Sequence, residues 1–455
     1  MNADSRKITI RIILSTFLLI SLFQITFSLI QFPAEHRVVV GQELKLGLNY
    51  PEKLMKALNV AVVPDNGLVL SYKGGPFNGE LIDYEGEWPV AANTGTANVQ
   101  LRIFGVIPVR NMVVNVLPEY EVVPGGQSIG VMLQSKGILV VGFSPVKTGR
   151  GEIYPGKESG VRVGDIVIAT NGKSVSDEET MAQIINRCGK DEEKVRLKVK
   201  RADGVYDFNL TPEFCTQTQR YRVGLLIRDN AAGVGTLTFY DPKSEQYGAL
   251  GHVVSNGNSE QKIDIRDGKI VESVVQGIEL GRKGKPGEKI GMFMHGNGLT
   301  GIIEKNTYSG IYGHLTKMPE ENMETVPVAF ANEIKRGPAK IRTVVDGSRI
   351  EEFDIEILKV MPHQEASGKG MIIKVTDKKL LKLTGGIIQG MSGSPIMQNG
   401  KLVGAVTHVF INEPTQGYGI LAEWMLSECG LIENNQKAGD VSVGYPKLLL
   451  SNVFL

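Results

Sequence analysis

The chain has 455 residues, of which 42% are hydrophobic and 22% charged, and its formal net charge is +1. This composition excludes a disordered chain and leaves room for about three domains of roughly 150 residues each. No long basic run is present, so the sequence gives no indication of nucleic-acid binding. Three widely spaced cysteines, Cys188, Cys215 and Cys429, exclude a Cys-x-x-Cys zinc or redox motif. No metal or cofactor is expected.

The N-terminus carries a charge pattern typical of a membrane anchor. Arg6, Lys7 and Arg11 precede an apolar stretch, residues 12–32, that is broken only by Ser, Thr and Gln. A stretch of this length crosses a bilayer as a helix, and the positive flank predicts that residues 1–11 stay in the cytoplasm and the rest is exported. Because no small-x-small cleavage site follows, we expect an uncleaved signal anchor.

Residues 34–120 read as a β-rich module. Short β-branched runs, such as Val60-Ala61-Val62-Val63, alternate with turn signals, such as Pro64-Asp65-Asn66-Gly67. A small β-sandwich is the simplest fold for this pattern, and it contains no evident site chemistry.

Residues 122–212 carry a more specific pattern. Two strands are predicted at 130–133 and 137–143, and a capping box with Ser176 at the N-cap and Glu179 three residues later predicts a helix. The apolar face of that helix is Met181, Ile184, Ile185 and Cys188. A strand with alternating Val195, Leu197 and Val199 follows.

This segment resembles a PDZ domain, through Gly160-x-x-x-Gly164-Asp165-x-Val167-x-x-x-Asn171-Gly172 and the later helix. The resemblance implies a groove between a strand and the helix, in which a peptide C-terminus adds as an extra strand. The carboxylate would bind to backbone N–H groups of the loop Gln127, Ser128, Ile129 and Gly130.

Residues 221–435 are rich in β-type runs and glycine turns, which predicts an all-β barrel pair or sandwich. Residues 436–455 read as a C-terminal extension. The expected fold class is therefore mainly β and multidomain: an anchor, a β-rich module, a PDZ domain and a β-barrel protease domain.

One segment of the last domain carries the chemistry of a nucleophile. Gly390-Met391-Ser392-Gly393-Ser394-Pro395 places a serine on a glycine turn, where substrate backbone can approach closely. It resembles the Gly-Asp-Ser-Gly-Gly-Pro segment of trypsin-like proteases. Ser392 is the predicted nucleophile. Ser394 is the rival, although the following proline restricts its backbone.

A serine nucleophile needs a histidine base and an acid that orients it. His252, in the small-residue segment Ala249-Leu250-Gly251-His252, is the favoured base. The other histidines are His36, His295, His314, His363 and His408. His408 lies on the strand that follows the nucleophile and is interpreted as a structural residue.

Asp377, fifteen residues before Ser392, is the candidate acid; Asp264, Asp267 and Asp354 remain alternatives. The N–H groups of Gly390 and Ser392 are expected to form the oxyanion hole.

The order of these parts, together with Val375-Thr376-Asp377-x-x-Leu380-Leu381-x-x-Thr384-Gly385-Gly386-Ile387-x-Gln389-Gly390-Met391-Ser392-Gly393-Ser394-Pro395-Ile396, resembles the SpoIVB family of sporulation serine peptidases. The resemblance implies a triad of His252, Asp377 and Ser392 and secretion into the space between the two forespore membranes. It also implies two protein substrates: the enzyme itself, and a regulatory membrane protein of an intramembrane metalloprotease complex whose release activates a mother-cell sigma factor.

A different class of function stays open at the level of sequence. A membrane-tethered PDZ adaptor with an inactive protease-like domain would carry the same segments. The two hypotheses differ in whether Ser392 and His252 meet in the folded chain.

Overall fold

The computed structural model describes residues 35–44, 58–64, 68–77, 79, 81–83, 86–201, 203–255, 263–294, 298–319, 324–361 and 369–432. Strands dominate these residues and helices are few, which confirms the prediction of a mainly β chain. No described helix is both long and apolar enough to cross a bilayer, and the predicted anchor at 12–32 lies outside the described ranges.

Before residue 120 the described strands form two sheets. The larger has the order β1-β8-β7-β2-β5, with β1 parallel to β8, and the smaller has the order β4-β3-β6. Apolar side chains from both sheets share one core, which includes Val60, Val99, Leu70 and Phe77. The strands are β1 (Glu35–Val39), β2 (Leu58–Pro64), β3 (Leu70–Tyr72), β4 (Gly75–Pro76), β5 (Leu81–Asp83), β6 (Val90–Ala91), β7 (Gly95–Ile103) and β8 (Ile107–Leu117).

A 13-stranded sheet runs through the next 200 residues and joins the predicted PDZ segment to the predicted peptidase segment. Its main path is β16-β15-β13-β10-β21-β23-β24-β20-β19-β9-β25, with β14 and β22 attached and β10 also paired to β19. Its strands are β9 (Glu121–Pro124), β10 (Ser128–Phe143), β13 (Ile166–Thr170), β14 (Lys173–Ser174), β15 (Val195–Arg201), β16 (Gly204–Leu210), β19 (Leu225–Tyr240), β20 (Gln246–Ala249), β21 (Ile265–Glu279), β22 (Glu288–Phe293), β23 (Thr300–Thr307), β24 (Gly310–Lys317) and β25 (Val326–Pro327).

Two hairpins and two helices surround the first part of this sheet: β11 (Val146–Thr148) with β12 (Gly151–Ile153), β17 (Glu213–Cys215) with β18 (Arg220–Arg222), α1 (Pro155–Glu158) and α2 (Glu178–Lys190). The predicted apolar face of α2 is buried. Its N-cap is Asp177, one residue beyond the predicted Ser176, and the Asp177 side chain accepts from the N–H of Thr180 at 2.7 Å.

The prediction that residues 127–130 form a carboxylate-binding loop is wrong. Ser128, Ile129 and Gly130 lie inside β10, which is a single strand rather than the two that were predicted. One edge of this stretch pairs with β19 and the other with β21. With both edges occupied and Ser128 only 2% exposed, residues 127–130 have no free edge for a peptide terminus.

The last part of the chain closes a six-stranded barrel of order β26-β27-β28-β31-β30-β29. Its strands are β26 (Gly337–Val344), β27 (Ile350–Val360), β28 (Met371–Val375), β29 (Pro395–Gln398), β30 (Lys401–Phe410) and β31 (Glu413–Leu421). Helix α3 (Lys378–Thr384) follows β28 and leads to the Ser392 turn, and α4 (Ala422–Cys429) follows the barrel. The Ser392 turn thus lies between the barrel and the 13-stranded sheet.

Candidate active site

Ser392 is the partly exposed residue of an otherwise buried turn. Gly390, Met391, Gly393 and Ser394 are all buried around it. Both glycines have a left-handed backbone, with φ of +89° at Gly390 and +92° at Gly393, which side chains with a Cβ rarely adopt. A Cβ at Gly393 would also lie 2.1 Å from the carbonyl oxygen of Thr236. The glycines therefore let the turn lie directly on β19.

Two threonines of β19 hold the carbonyl groups of this turn. The Thr236 hydroxyl donates to the Gly390 carbonyl at 2.8 Å, and the Thr236 N–H donates to the Ser392 carbonyl at 2.9 Å. The Thr238 hydroxyl donates to the Gly393 carbonyl at 2.8 Å. Both threonine side chains are fully buried, so these bonds are shielded from competing water.

The two candidate nucleophiles meet different surroundings. The Ser392 hydroxyl donates to the Thr407 carbonyl at 2.8 Å at the edge of the site. The Ser394 hydroxyl is fully buried and donates to Oγ1 of Thr343 at 3.0 Å. A substrate reaches a partly exposed hydroxyl far more easily than a fully buried one, which favours Ser392 as the nucleophile.

His252 follows β20 on a tight turn formed by Leu250 and Gly251, which have φ of +67° and +70°. Its Nδ1 lies 2.9 Å from the Val253 carbonyl oxygen. Because a carbonyl only accepts, Nδ1 carries the hydrogen and Nε2 keeps its lone pair. That tautomer is the one a base needs in order to take a serine proton at Nε2. Burial lowers the pKa of His252 below 6.5, which keeps the ring neutral.

The His252 segment and the serine turn lie against each other. A Cβ at Gly393 would lie 2.5 Å from the backbone nitrogen of Leu250, and one at Gly251 would lie 2.8 Å from Cγ2 of Thr407. Thr407 is the residue whose carbonyl binds the Ser392 hydroxyl. The structure therefore brings the serine turn and the His252 segment together, with the Ser392 hydroxyl directed to Thr407.

His408 is a neighbour of His252 that the sequence had suggested only as a structural residue. The two ring centroids lie 4.9 Å apart, with the planes inclined by 41°. The pKa of His408 falls to about 4, mainly because protein atoms surround much of the ring, and also because a proton on His408 would be repelled by Lys369 and by a protonated His252. Part of the residue stays exposed. Of the other histidines, His314 bonds Glu304, His36 belongs to the first sheet, and His295 and His363 lie outside the described residues.

Asp377 is placed at the start of α3, where it acts as the N-cap. Its Oδ1 accepts from the N–H of Leu380 at 2.8 Å, and its Oδ2 lies 3.5 Å from the N–H of Asp354. Among the described residues, no carboxylate forms a hydrogen bond with His252. Of the alternative acids, Asp264 pairs with Lys200, and Asp267 lies on β21 opposite Gln134.

The predicted oxyanion hole uses the N–H groups of Gly390 and Ser392. Neither N–H group donates to an acceptor within the described part of the chain, whereas the adjacent N–H of Gly393 is bound to the Val406 carbonyl at 2.8 Å. Free N–H groups beside a partly exposed serine are what a developing oxyanion requires.

A buried lysine behind the turn was missed by the sequence reasoning. The side chain of Lys289 lies against Gly390, with three of its carbons 3.0–3.1 Å from where a Cβ would be. Its Nζ donates to Oγ1 of Thr343 at 2.8 Å, the same oxygen that binds Ser394. No carboxylate pairs with it within the described ranges, and burial lowers its pKa to about 7. In the sequence, the only sign of this buried lysine was a single Lys within a β-type run.

Residues 219–426 match the family model described as SpoIVB peptidase S55. No curated protein matches the chain.

Solved structures similar to the chain include the Rv3671c protease in an inactive form, at 15% identity and a TM-score of 0.26, covering 43% of this chain and 84% of that one. The active form of the same protease from M. tuberculosis is similar at 15% identity and a TM-score of 0.25, covering 44% and 75%. The matched residues include both the His252 segment and the Ser392 turn, and the match shows that the chain is a serine peptidase.

Proposed function

We propose that Ser392 is the nucleophile and His252 the general base of this peptidase. The observation that carries the proposal is the contact between the turn of Ser392 and the segment of His252, whose ring is held in the tautomer with Nε2 unprotonated. Burial keeps that ring neutral at pH 7, as a base must be.

The reaction then proceeds by acyl transfer. The Ser392 hydroxyl leaves the Thr407 carbonyl and turns to Nε2 of His252, which takes its proton as the oxygen attacks the peptide carbonyl. The N–H groups of Gly390 and Ser392 bind the oxyanion, and His252 passes the proton to the leaving amine. Water, activated by the same imidazole, hydrolyses the ester and restores the hydroxyl.

Asp377 is proposed as the acid of the triad, on the strength of the family resemblance. In the described arrangement the Val253 carbonyl occupies Nδ1 of His252, and Asp377 caps α3. Its acid role therefore requires the start of α3 and the His252 loop to approach each other in the working enzyme.

We further propose that the peptidase acts in sporulation signalling. On this proposal it is exported, tethered by residues 12–32 or released into the space between the forespore and mother-cell membranes. It cleaves itself and then a regulatory membrane protein of an intramembrane metalloprotease complex, which leads to sigma factor activation. The long motif from Val375 to Ile396 and the family match over residues 219–426 support this proposal.

The nucleophile is tested by self-cleavage of the purified chain. We expect the wild type to shorten at its N-terminal region on incubation and Ser392→Ala to stay intact, as measured by mass spectrometry. Ser394→Ala is the matched control and should keep most of the activity, since it removes only a buried hydroxyl contact. Persistent self-cleavage by Ser392→Ala, or its loss in a folded Ser394→Ala alone, would assign the nucleophile to a different residue.

A further inference from the structure

The β7–β8 hairpin of the β-rich module ends in an apolar turn. Phe104, Gly105 and Val106 form this turn, and Phe104 is 72% and Val106 78% exposed. Exposed hairpin turns are usually built from glycine, asparagine and aspartate, which adopt a left-handed backbone at little cost. Phe104 has that backbone, with φ of +52°, which is uncommon for a bulky side chain. We call residues 104–106 the hairpin tip; it presents two large apolar side chains where polar ones are the rule.

The surroundings of the hairpin tip extend this apolar surface and add a cation. Leu81, on β5, is 50% exposed, and its Cδ2 lies 3.0 Å from where a Cβ of Gly105 would be. The Arg102 guanidinium lies 3.5 Å from the Gly105 carbonyl oxygen, while Asp83 on β5 accepts from Asn59. Apolar side chains with an arginine at their base suit the surface of a bilayer, where the apolar groups enter the acyl region and the guanidinium binds phosphate.

The chain enters the module from the end that carries the hairpin tip. Strand β1 is parallel to β8, with Glu35 opposite Val113. Both strands therefore run away from the tip, and β1 begins about 20 Å along β8 from Ile107, the first residue of that strand. Only two residues separate Glu35 from the apolar stretch 12–32, the proposed tether. The N-terminal end of β1 thus faces the same end of the module as the tip.

The opposite end of the module packs on the rest of the chain. Val39, at the end of β1, is buried in a core that includes Phe330 and Met425, and Leu117, at the end of β8, packs against the same core. This contact holds the module to the part of the chain that carries the peptidase. The hairpin tip is therefore at the remote end of the module and is free to meet a membrane.

A bilayer fits the hairpin tip better than a protein partner does. Three side chains, those of Leu81, Phe104 and Val106, offer far less than the about 800 Å² that each partner buries in a stable protein interface. Insertion into a bilayer needs little area when the chain is already tethered, because the tether keeps the tip at a high effective concentration near the membrane.

We propose that the hairpin tip inserts into the surface of the bilayer that holds residues 12–32, with Phe104 and Val106 among the acyl chains and Arg102 at the phosphate groups. The tether and the tip are then two points of attachment, which hold the peptidase in one orientation above the membrane. The proposal rests on the tether proposed for residues 12–32 and does not depend on the catalytic roles.

Insertion is tested on the full chain carrying Ser392→Ala, so that self-cleavage does not remove the tether. Phe104→Trp adds a fluorophore at the tip, and the parent chain gives the background from Trp88 and Trp424. The chain is reconstituted into vesicles of phosphatidylcholine and phosphatidylglycerol, in a ratio of about 7:3, with or without brominated acyl chains. Since interfacial side chains reach about 5–10 Å into the boundary of headgroups and acyl chains, we expect bromine to quench the added fluorescence about twofold.

Val63→Trp is the matched control. Val63 is 57% exposed on β2 opposite Asn98, about 17 Å along the sheet from the tip end, so bromine should leave its fluorescence unchanged. Val106→Trp should repeat the quenching at the tip. Adding Phe104→Asp to Val106→Trp should abolish it, because a carboxylate is costly to bring into the acyl region.

Absence of quenching in both tip variants would overturn the proposal, as would equal quenching at Val63, which would mean that the module lies flat on the membrane. Flotation of the chain with the vesicles tests the tether separately. A chain that floats without quenching refutes the tip alone. A chain that is quenched at the tip but does not float refutes the tether alone, and a chain that does neither refutes both.

Discussion

Ser392 and Ser394 lie only two residues apart, but their surroundings differ. Ser392 is partly exposed beside the His252 segment, while Ser394 is buried on Thr343. The sequence favoured Ser392 because its segment resembles the Gly-Asp-Ser-Gly-Gly-Pro segment of trypsin-like proteases and because a proline follows Ser394. The structure adds a physical reason, since the hydroxyl of Ser394 faces the core of the barrel.

The proposed base, His252, predicts how the reaction rate depends on pH. Burial lowers its pKa below 6.5, so the neutral base persists below pH 6.5 and is lost as pH falls through its pKa. We expect the acid limb of kcat/KM to have its midpoint below 6.5. The control is His314→Ala, a partly exposed histidine on β24 that should leave the limb in place. A midpoint at or above 7 would contradict a buried base.

Lys289 predicts a second pH effect, on stability rather than rate. Its pKa is about 7 in the folded chain, whereas the ordinary pKa of a lysine is 10.5. Between these two pH values the unfolded chain binds more protons than the folded chain, so the free energy of unfolding rises with pH. The slope is up to about 1.4 kcal/mol per pH unit. We expect Lys289→Met to stabilise the chain relative to the wild type at pH 7, with the difference shrinking towards pH 10.

Denaturant unfolding in a Ser392→Ala background measures this difference. Lys374→Met, at an exposed position of β28, is the control and should show a difference that does not change with pH. A pH-independent effect of Lys289→Met would mean that Lys289 is not a desolvated cation.

At the level of elements, α3 connects Asp377 to the serine turn. The helix begins at the Asp377 cap and ends at Gly385, which has φ of +74°, and Thr384 binds the Gly386 carbonyl at 2.6 Å. A change at Asp377 can therefore act on Ser392 either through the charge of the carboxylate or through the helix.

Substitutions at Asp377 separate these two routes. Asparagine keeps an N-cap but removes the charge, whereas alanine removes both and costs about 1 kcal/mol of stability. We expect Asp377→Asn to slow kcat without changing the unfolding midpoint, and Asp377→Ala to lower both. If Asp377→Asn has wild-type kcat, the residue is a helix cap and the triad acid lies elsewhere.

The sequence predicted elements well where the pattern is local. The buried face of α2 and the strand over Met371–Val375 are where periodicity and β-branched runs placed them. It failed where the outcome depends on distant partners. Residues 128–143 contain a lysine and three glycines that suggest a hairpin, yet they form one strand because β19 and β21 pair along it. The same long-range pairing encloses residues 128–130, which the sequence had placed in an open loop.

For the whole molecule, one sheet unites segments that the sequence divided into two domains. Strands β13, β15 and β16 of the predicted PDZ segment and strands β20 to β24 of the peptidase segment are linked through β10 and β19. Because the serine turn lies on β19, the catalytic geometry depends on pairings that begin before residue 130. A fragment covering only residues 219–426 would lack β10, and with it the partner of β19.

Strand β10 also has a consequence for how the chain is made. It is complete at residue 143, but β19 ends at residue 240 and β21 at residue 279. At about 5–20 residues per second, synthesis leaves both edges of an apolar 16-residue strand without their partners for about 5 to 20 seconds, until β19 has been made. During that time the strand is open to pairing with other chains.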